Sequence, residues 1–488
     1  MSLEKKFLLR ALLQYNYFPS QKRNKEELPP ILNSKSLSPE ISEKLIKLSY
    51  RKDGYDQIEY KLTRYNNIPR PLSIPHPIPY IKLCHSLHDN WEKMEYITQT
   101  KNSLIIPQKH SDGRIIIMDY ENPKKDIERH ITLSFSKKFY VKTDISNFYP
   151  SIYSHSIPWA LVGFEKAKEK RNQDVWFNQI DKYQRLTKRN ETNGVPIGPA
   201  TSSIISELIL ARIDKKLNDE RFEFIRFIDD YRAYLDTYEK AERFIRRLSE
   251  ELSKYKLLLN IKKTIIEQLP SPSSPEWIVD LTTRMPDKKN ISPINIIRFL
   301  DYAVTKQADG SILKYAVKSI IYNVKDDMAE LLLQYLLNLC IKHPILLPLL
   351  NILFEKITFD SGFPYTEQLL KILNEHTINK RSDAMAWTLY YLNKFSQSID
   401  EETAKEVISS KDCISILFLY LSKQHEKKVI DFCNGLDKSV LFLLDQYWLL
   451  LYQLFFDGKI SNPYNDDKDK GEAFEILKHE RVSFIESK

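Results

Sequence analysis

Three aspartates carry the chemistry that this sequence offers. Asp144 ends the apolar run in FYVKTDISNFYPSIYSH, and Asp229 and Asp230 stand side by side in FIRFIDDYRAYL. Adjacent carboxylates after an apolar strand repel each other, so holding them together is costly unless a cation offsets the charge. One more carboxylate from another strand makes an oxygen-rich site for hard divalent ions such as Mg²⁺. Two such ions about 4 Å apart can activate a 3′-hydroxyl and stabilise a pyrophosphate leaving group. Taken alone, the two segments also fit a pair of surface turns, so the surrounding elements decide.

Those elements read as strands and helices in alternation. FEFIRFIDDYRAYLD is expected as two strands around a tight acidic turn, followed by a helix over 237–256 and a short strand, LLLNIKKT. GVPIGPATSSIISELILARIDKKL is a glycine-proline loop feeding an amphipathic helix. Between 100 and 143 the runs SLIIP, RIIIMDY, ITLSF and FYVKTDI alternate with charged turns and are expected as strands. Residues 163–192 hold eight Lys/Arg against five Asp/Glu and read as a charged helical segment with a solvated face. In IPRPLSIPHPIPY (68–80), five prolines in eleven residues favour a polyproline-like connector on composition alone.

Composition narrows the class. The chain has 488 residues, 42% hydrophobic and 28% charged, which excludes disorder, collagen and disulfide scaffolds. Ten glycines against 24 prolines argue against a glycine-rich nucleotide-binding protein. Cys84, Cys340, Cys413 and Cys433 form no CxxC pair, as expected of a reducing compartment without a zinc ribbon. Residues 1–290 carry 50 Lys/Arg against 38 Asp/Glu (+12), and 291–488 carry 23 against 27 (−4). Polyanion binding therefore belongs to the first part. The stretches 331–354 and 439–456 are interrupted by charges or prolines and read as buried helices rather than spans, giving no membrane and a cytoplasmic location. From about 291 onward the apolar spacing is helical nearly throughout, as in stacked helical hairpins.

The order of the motifs adds to this reading. Asp144, the loop at 194–199 and Asp229-Asp230 together resemble the palm of reverse transcriptases. DISNFYPSIYSH resembles motif A, GVPIGPATS motif B, and FIDD stands where those polymerases have YxDD. LLLNIKKT resembles motif D, with Lys262 and Lys263 as basic candidates, and RPLSIP resembles the arginine-bearing fingers strand. SIPHP, TDISNFYPSIYSH and GVPIGPATS are similar to the bacterial abortive-infection reverse transcriptases, the AbiK- and AbiA-like group, and to its prophage-encoded members in size.

The resemblance implies an α+β fold: a fingers and palm core followed by an all-α, HEAT-like helical-repeat domain in place of a thumb. The expected divisions are an N-terminal helical segment (1–60), fingers and palm (61–285) and the helical domain (286–488). Asp144, Asp229 and Asp230 would be catalytic and would hold two Mg²⁺, with Mn²⁺ as the alternative and Ile145 counted in the metal shell. Tyr149 would underlie the incoming sugar and exclude a 2′-hydroxyl, and Arg70 would neutralise the triphosphate. Gly198 would let the backbone approach the nascent base pair, Ser202 would cap or line the next helix, and Lys262 would contact nucleotide.

The implied function is antiphage abortive infection, with dNTPs polymerised into single-stranded DNA without a template. A tyrosine hydroxyl is a candidate primer, leaving the product covalently attached; Tyr15 and Tyr17 lie near an N-terminus expected to be mobile. The group also implies a homo-oligomer. Ile197 replaces the glutamine of template-copying enzymes, and Phe227 the tyrosine of YxDD. The competing readings are a template-copying retron or group II enzyme, and a scaffold with a vestigial palm. VTG, expected of a retron, is absent.

Overall fold

The computed structural model describes residues 3–64, 68–118, 123–287, 292–306, 311–360, 362–464 and 468–486. An antiparallel ribbon pairs β1 (Gln57–Leu62) with β2 (Arg70–Pro75), Leu62 opposite Arg70. A four-stranded antiparallel sheet follows the order β4-β5-β3-β6, built from β3 (Phe139–Asp144), β4 (Phe224–Phe227), β5 (Asp230–Leu235) and β6 (Ile265–Gln268). The β4–β5 pair is the expected hairpin. Among the described residues β2 pairs with β1 alone, and an edge strand tolerates Pro71, which has no N–H to give a ladder. The proline-rich stretch is therefore a strand followed by the helix Pro77–Asp89, not a connector. Pro77 opens that helix, where a missing N–H costs nothing, and His76 caps it.

The expected helix over 237–256 forms as Tyr238–Lys254. The Thr237 hydroxyl accepts from the Lys240 N–H at 3.2 Å, and Ala241, Phe244, Leu248 and Leu252 make its buried stripe. The helix Ala200–Asp219 differs from its expected amphipathic form. It is buried around most of its circumference from Ala200 to Ala211, as a helix in the middle of a core must be.

Four runs expected as strands do not form them. ITLSF continues the helix Pro123–Ser134, and SLIIP contributes only an isolated bridge from Ser103 to Arg226. RIIIMDY runs as irregular chain up to Met118, where the described residues break off. Its Ile115 and Ile116 are buried, but both N–H groups donate to Asn16 Oδ1 (2.8 and 3.2 Å). A side chain thus satisfies the backbone where a ladder was expected. LLLNIKKT forms one bridge, Leu259 to Ile145, and a 3₁₀ turn at Ile261–Lys263 before β6.

Beyond Glu276 the described chain is helical, without a strand. Thr366–Ile378, Ser382–Lys394, Cys413–Leu421 and Trp448–Phe456 pack successively. The C-terminal part returns to the ribbon and the N-terminal segment. The Trp448 indole N–H donates to the Ile74 carbonyl at 3.2 Å, and Asn33 N–H donates to the Phe484 carbonyl at 3.0 Å. Buried Asp445 pairs with buried Arg51 and also accepts from Asp56 N–H (2.9 Å) and the Tyr464 hydroxyl (3.0 Å). Among the described residues, no helix is long and apolar enough to cross a membrane.

Candidate active site at the β4–β5 turn

β4 and β5 leave two residues, Ile228 and Asp229, to reverse the chain, with Phe227 opposite Asp230. Ile228 sits at φ +57°, a left-handed conformation that a β-branched side chain rarely adopts. Such strain persists only where the surroundings over-determine it. Here they do. The Arg226 guanidinium donates to the Ile228 carbonyl at 3.1 Å, and Ile145 N–H donates to the Asp229 carbonyl at 3.2 Å.

Arg226 is fully buried and is held in turn by two acids of the helix Ala200–Asp219. Its Nη1 and Nη2 reach the two Glu207 oxygens at 2.7 and 2.8 Å, and its Nε reaches Asp214 at 2.7 Å. Tyr231 donates to the other Asp214 oxygen at 3.1 Å. Planar bidentate geometry of this kind is what arginine supplies and lysine does not. Sequence reasoning missed this network. Its signal was an arginine inside the apolar run FEFIRF and two acids seven residues apart on one face of a buried helix.

The turn delivers its carboxylates beside Asp144. Asp144 and Asp230 are direct cross-strand partners of β3 and β5, with Asp229 next in the turn. Burial is the first cause that pushes Asp229 up to about 6, followed by the charges of Asp230 and then Asp144. Burial, then Asp144, also raises Asp230. Asp144 is 6% exposed; one of its oxygens takes the Lys263 ammonium at 2.6 Å, and the other is buried without a hydrogen-bond partner. That orphaned oxygen and two carboxyls that resist ionisation fit a divalent cation, which would satisfy one and ionise the others. Among the described residues, no group of three or more His, Cys, Asp or Glu stands gathered as a ready-made metal cage. The site would therefore have to exchange Lys263 for the ion and draw its carboxylates in.

The remaining expected residues are placed as follows. Ile145 is buried, and it meets the turn through its backbone N–H on the Asp229 carbonyl. Arg70 is exposed at the start of β2 and near enough to Asp229 for its charge to oppose the rise. Tyr149 is buried in the short helix Phe148–Ser151, its carbonyl accepting from Val195 N–H at 3.0 Å. Its hydroxyl makes no hydrogen bond of ordinary geometry. Burial pushes it up to about 12, with Ser203 and Ser206 acting in the opposite sense.

Gly198, at φ +129°, lies against Pro19, where a Cβ would come within 2.7 Å of the proline ring. Next to it the Ile197 carbonyl accepts from Ser73 N–H at 2.8 Å, so the N-terminal segment and β2 flank the motif B loop. Ser202 is buried inside the helix that Pro199 opens; it is not the capping residue, and its hydroxyl is without a partner. Lys262 is exposed, and its neighbour Lys263 is the lysine that reaches the carboxylates. Tyr17 is wholly buried, stacked on Tyr80 at 4.0 Å and donating to the Pro75 carbonyl at 2.6 Å, so it is a packing residue.

Residues 67–304 match the family model described as reverse transcriptase (RNA-dependent DNA polymerase). No curated protein matches the chain. Among solved structures the chain is similar to an apo telomerase of Candida tropicalis truncated from its C-terminal domain. The two share 11% identity with a TM-score of 0.30, over 46% of this chain and 52% of that one. The chain thus spans about half the length of that structure.

Proposed function

We propose that this chain is an antiphage DNA polymerase of the reverse-transcriptase type that adds dNTPs without copying a supplied template. The observation that carries the nucleotidyl-transfer part is the register of Asp144 against Asp230, with Asp229 next to Asp230 in a strained, doubly tethered turn. A structural turn needs no such trio, because burying carboxylates against one another only destabilises the fold. Asp144, Asp229 and Asp230, with the backbone of Ile145, would hold two Mg²⁺ or Mn²⁺. When bound, these ions activate the attacking hydroxyl and neutralise the departing pyrophosphate.

The protein's own residues do the rest. Arg70 pairs with the triphosphate, and Tyr149 fills the space that a ribose 2′-hydroxyl would need. Lys263, released from Asp144, and Lys262 add positive charge beside the phosphates. The untemplated reading draws on Ile197, which offers no polar side chain to a template, and on a motif B loop covered by Pro19 and Ser73. A tyrosine primer, a product covalently joined to it, a HEAT-like repeat in the C-terminal helices, a homo-oligomer and a role in abortive infection follow from the resemblance of the motifs.

The test is incubation of the full chain with Mg²⁺ and each labelled dNTP, without primer or template, on a denaturing protein gel. Label that migrates with the protein supports untemplated, protein-primed synthesis. Extension only of an added primer-template would return the enzyme to conventional copying. Protection of cells against phage, lost together with synthesis in the Asp229→Ala/Asp230→Ala variant, tests the defence role.

A further inference from the structure

A pocket of about 540 Å³ opens between the chain that follows Tyr149 and the C-terminal end of the helix Tyr238–Lys254. One wall is aromatic. Trp159 lies 5.7 Å from Tyr153 and 5.1 Å from Phe164 between ring centroids, and Phe164 is 50% exposed. The rim is basic. Lys168 stands 5.5 and 5.4 Å over the Trp159 and Phe164 rings, and Lys254 and Lys256 face it from the other element. None of the nine lining side chains is acidic. Lys254 is shared with Glu251 at 2.7 Å, whereas Lys168 and Lys256 both reach solvent.

The pocket is tied to the carboxylates. Two residues beyond Lys256, the Leu258 carbonyl accepts from Ser146 N–H at 2.8 Å, and Asn260 N–H donates to the Asp144 carbonyl at 2.9 Å. On the other side Tyr153 bridges to Asn193, just before the motif B loop. A ligand here would lie beside the segment that carries Asp144.

We propose that this pocket binds one unit of single-stranded DNA, a base against Phe164 and Tyr153 and its flanking phosphates on Lys168 and Lys256. An exposed Phe164 ring beside a part-buried Tyr153, inside a basic, acid-free concavity, is the combination that non-specific single-strand binders use. A free phosphate would have no use for the rings, and an apolar ligand none for three ammonium groups. The charged segment 163–192 thereby contributes Lys168 to a binding face and is more than a solvated surface. The proposal rests on the nucleotidyl-transfer reading for the origin of the strand, but its test does not.

Fluorescence anisotropy of labelled oligothymidylate with the full chain in EDTA measures binding with chemistry switched off. Phe164→Ala should weaken binding roughly five- to hundredfold, the range for a lost base-stacking partner, while Phe164→Tyr should retain it. Lys168→Gln with Lys256→Gln should reduce the slope of log Kd against log salt by about 1.4. The Asp229→Ala/Asp230→Ala variant should bind as the parent does. Unchanged affinity in Phe164→Ala, or competition by dTTP as effective as by unlabelled oligonucleotide, would overturn the proposal. If binding depends on Phe164 while no dNTP is ever incorporated, the polymerase reading fails and this site stands.

Discussion

Replacing Asp229 by asparagine should stabilise the protein at alkaline pH while destroying its site. In the folded chain burial first, then Asp230 and Asp144, hold this carboxyl up at about 6, against an ordinary value of 3.8. The folded state therefore binds the proton more tightly than the unfolded chain. Its contribution to stability is complete below about pH 4 and is lost as the pH rises through 6. By pH 8 the difference, at 1.36 kcal/mol per pH unit, amounts to about 3 kcal/mol. Asp230 titrates with Asp229, so this is the upper end. An unfolding entropy of about 2.1 cal/mol/K per residue converts it to roughly 6 °C for a cooperative unit of 240 residues, or about 3 °C for the whole chain. Melting curves in EDTA should show Asp229→Asn above the parent by this amount at pH 8 and level with it at pH 4. Millimolar Mg²⁺ should raise the parent more than the variant. A variant that melts at or below the parent at pH 8, or a gap that ignores pH, would refute the electrostatic reasoning.

Other outcomes follow from the same geometry. Lys263 is 67% exposed, so its pair with Asp144 is worth at most about 1 kcal/mol. Lys263→Met should therefore tighten Mn²⁺ binding up to about fivefold by calorimetric titration, and weaker binding would contradict the exchange of lysine for metal. Arg226→Met leaves Glu207 and Asp214 buried without a cation and should cost about 3–5 kcal/mol in denaturant unfolding. Adding Glu207→Gln and Asp214→Asn should recover part of that stability; no recovery would mean that charge is not the cause. Tyr149→Ala should raise incorporation of rNTPs relative to dNTPs, and unchanged sugar selectivity would remove the gate from this residue.

The carboxylates were legible in the sequence because an aspartate after an apolar run and an Asp-Asp turn survive in any local reading. The hairpin and the helix after it were legible for the same reason, since alternation and a Thr cap are local signals. SLIIP and RIIIMDY misled because β-branched residues also fill cores; Asn16, some hundred residues away in the chain, satisfies Ile115 and Ile116, and no local pattern contains that. The choice of Lys263 over Lys262 depended on the 3₁₀ turn at Ile261–Lys263, which the run LLLNIKKT concealed behind a strand-like composition. The return of the C-terminal helices to β2 and the N-terminal segment lies beyond periodicity altogether. It is written in scattered partners such as Trp448 with Ile74 and Arg51 with Asp445.

The most direct test of the central claim is nucleotide incorporation by the purified chain with Mg²⁺ and labelled dNTPs, in parallel with the Asp229→Ala/Asp230→Ala variant, each with and without an added primer-template. Incorporation by the parent and its loss in the variant, with the variant still folded by its melting curve, is the predicted result. Incorporation that survives removal of both carboxylates would contradict the assignment of this turn as the active site.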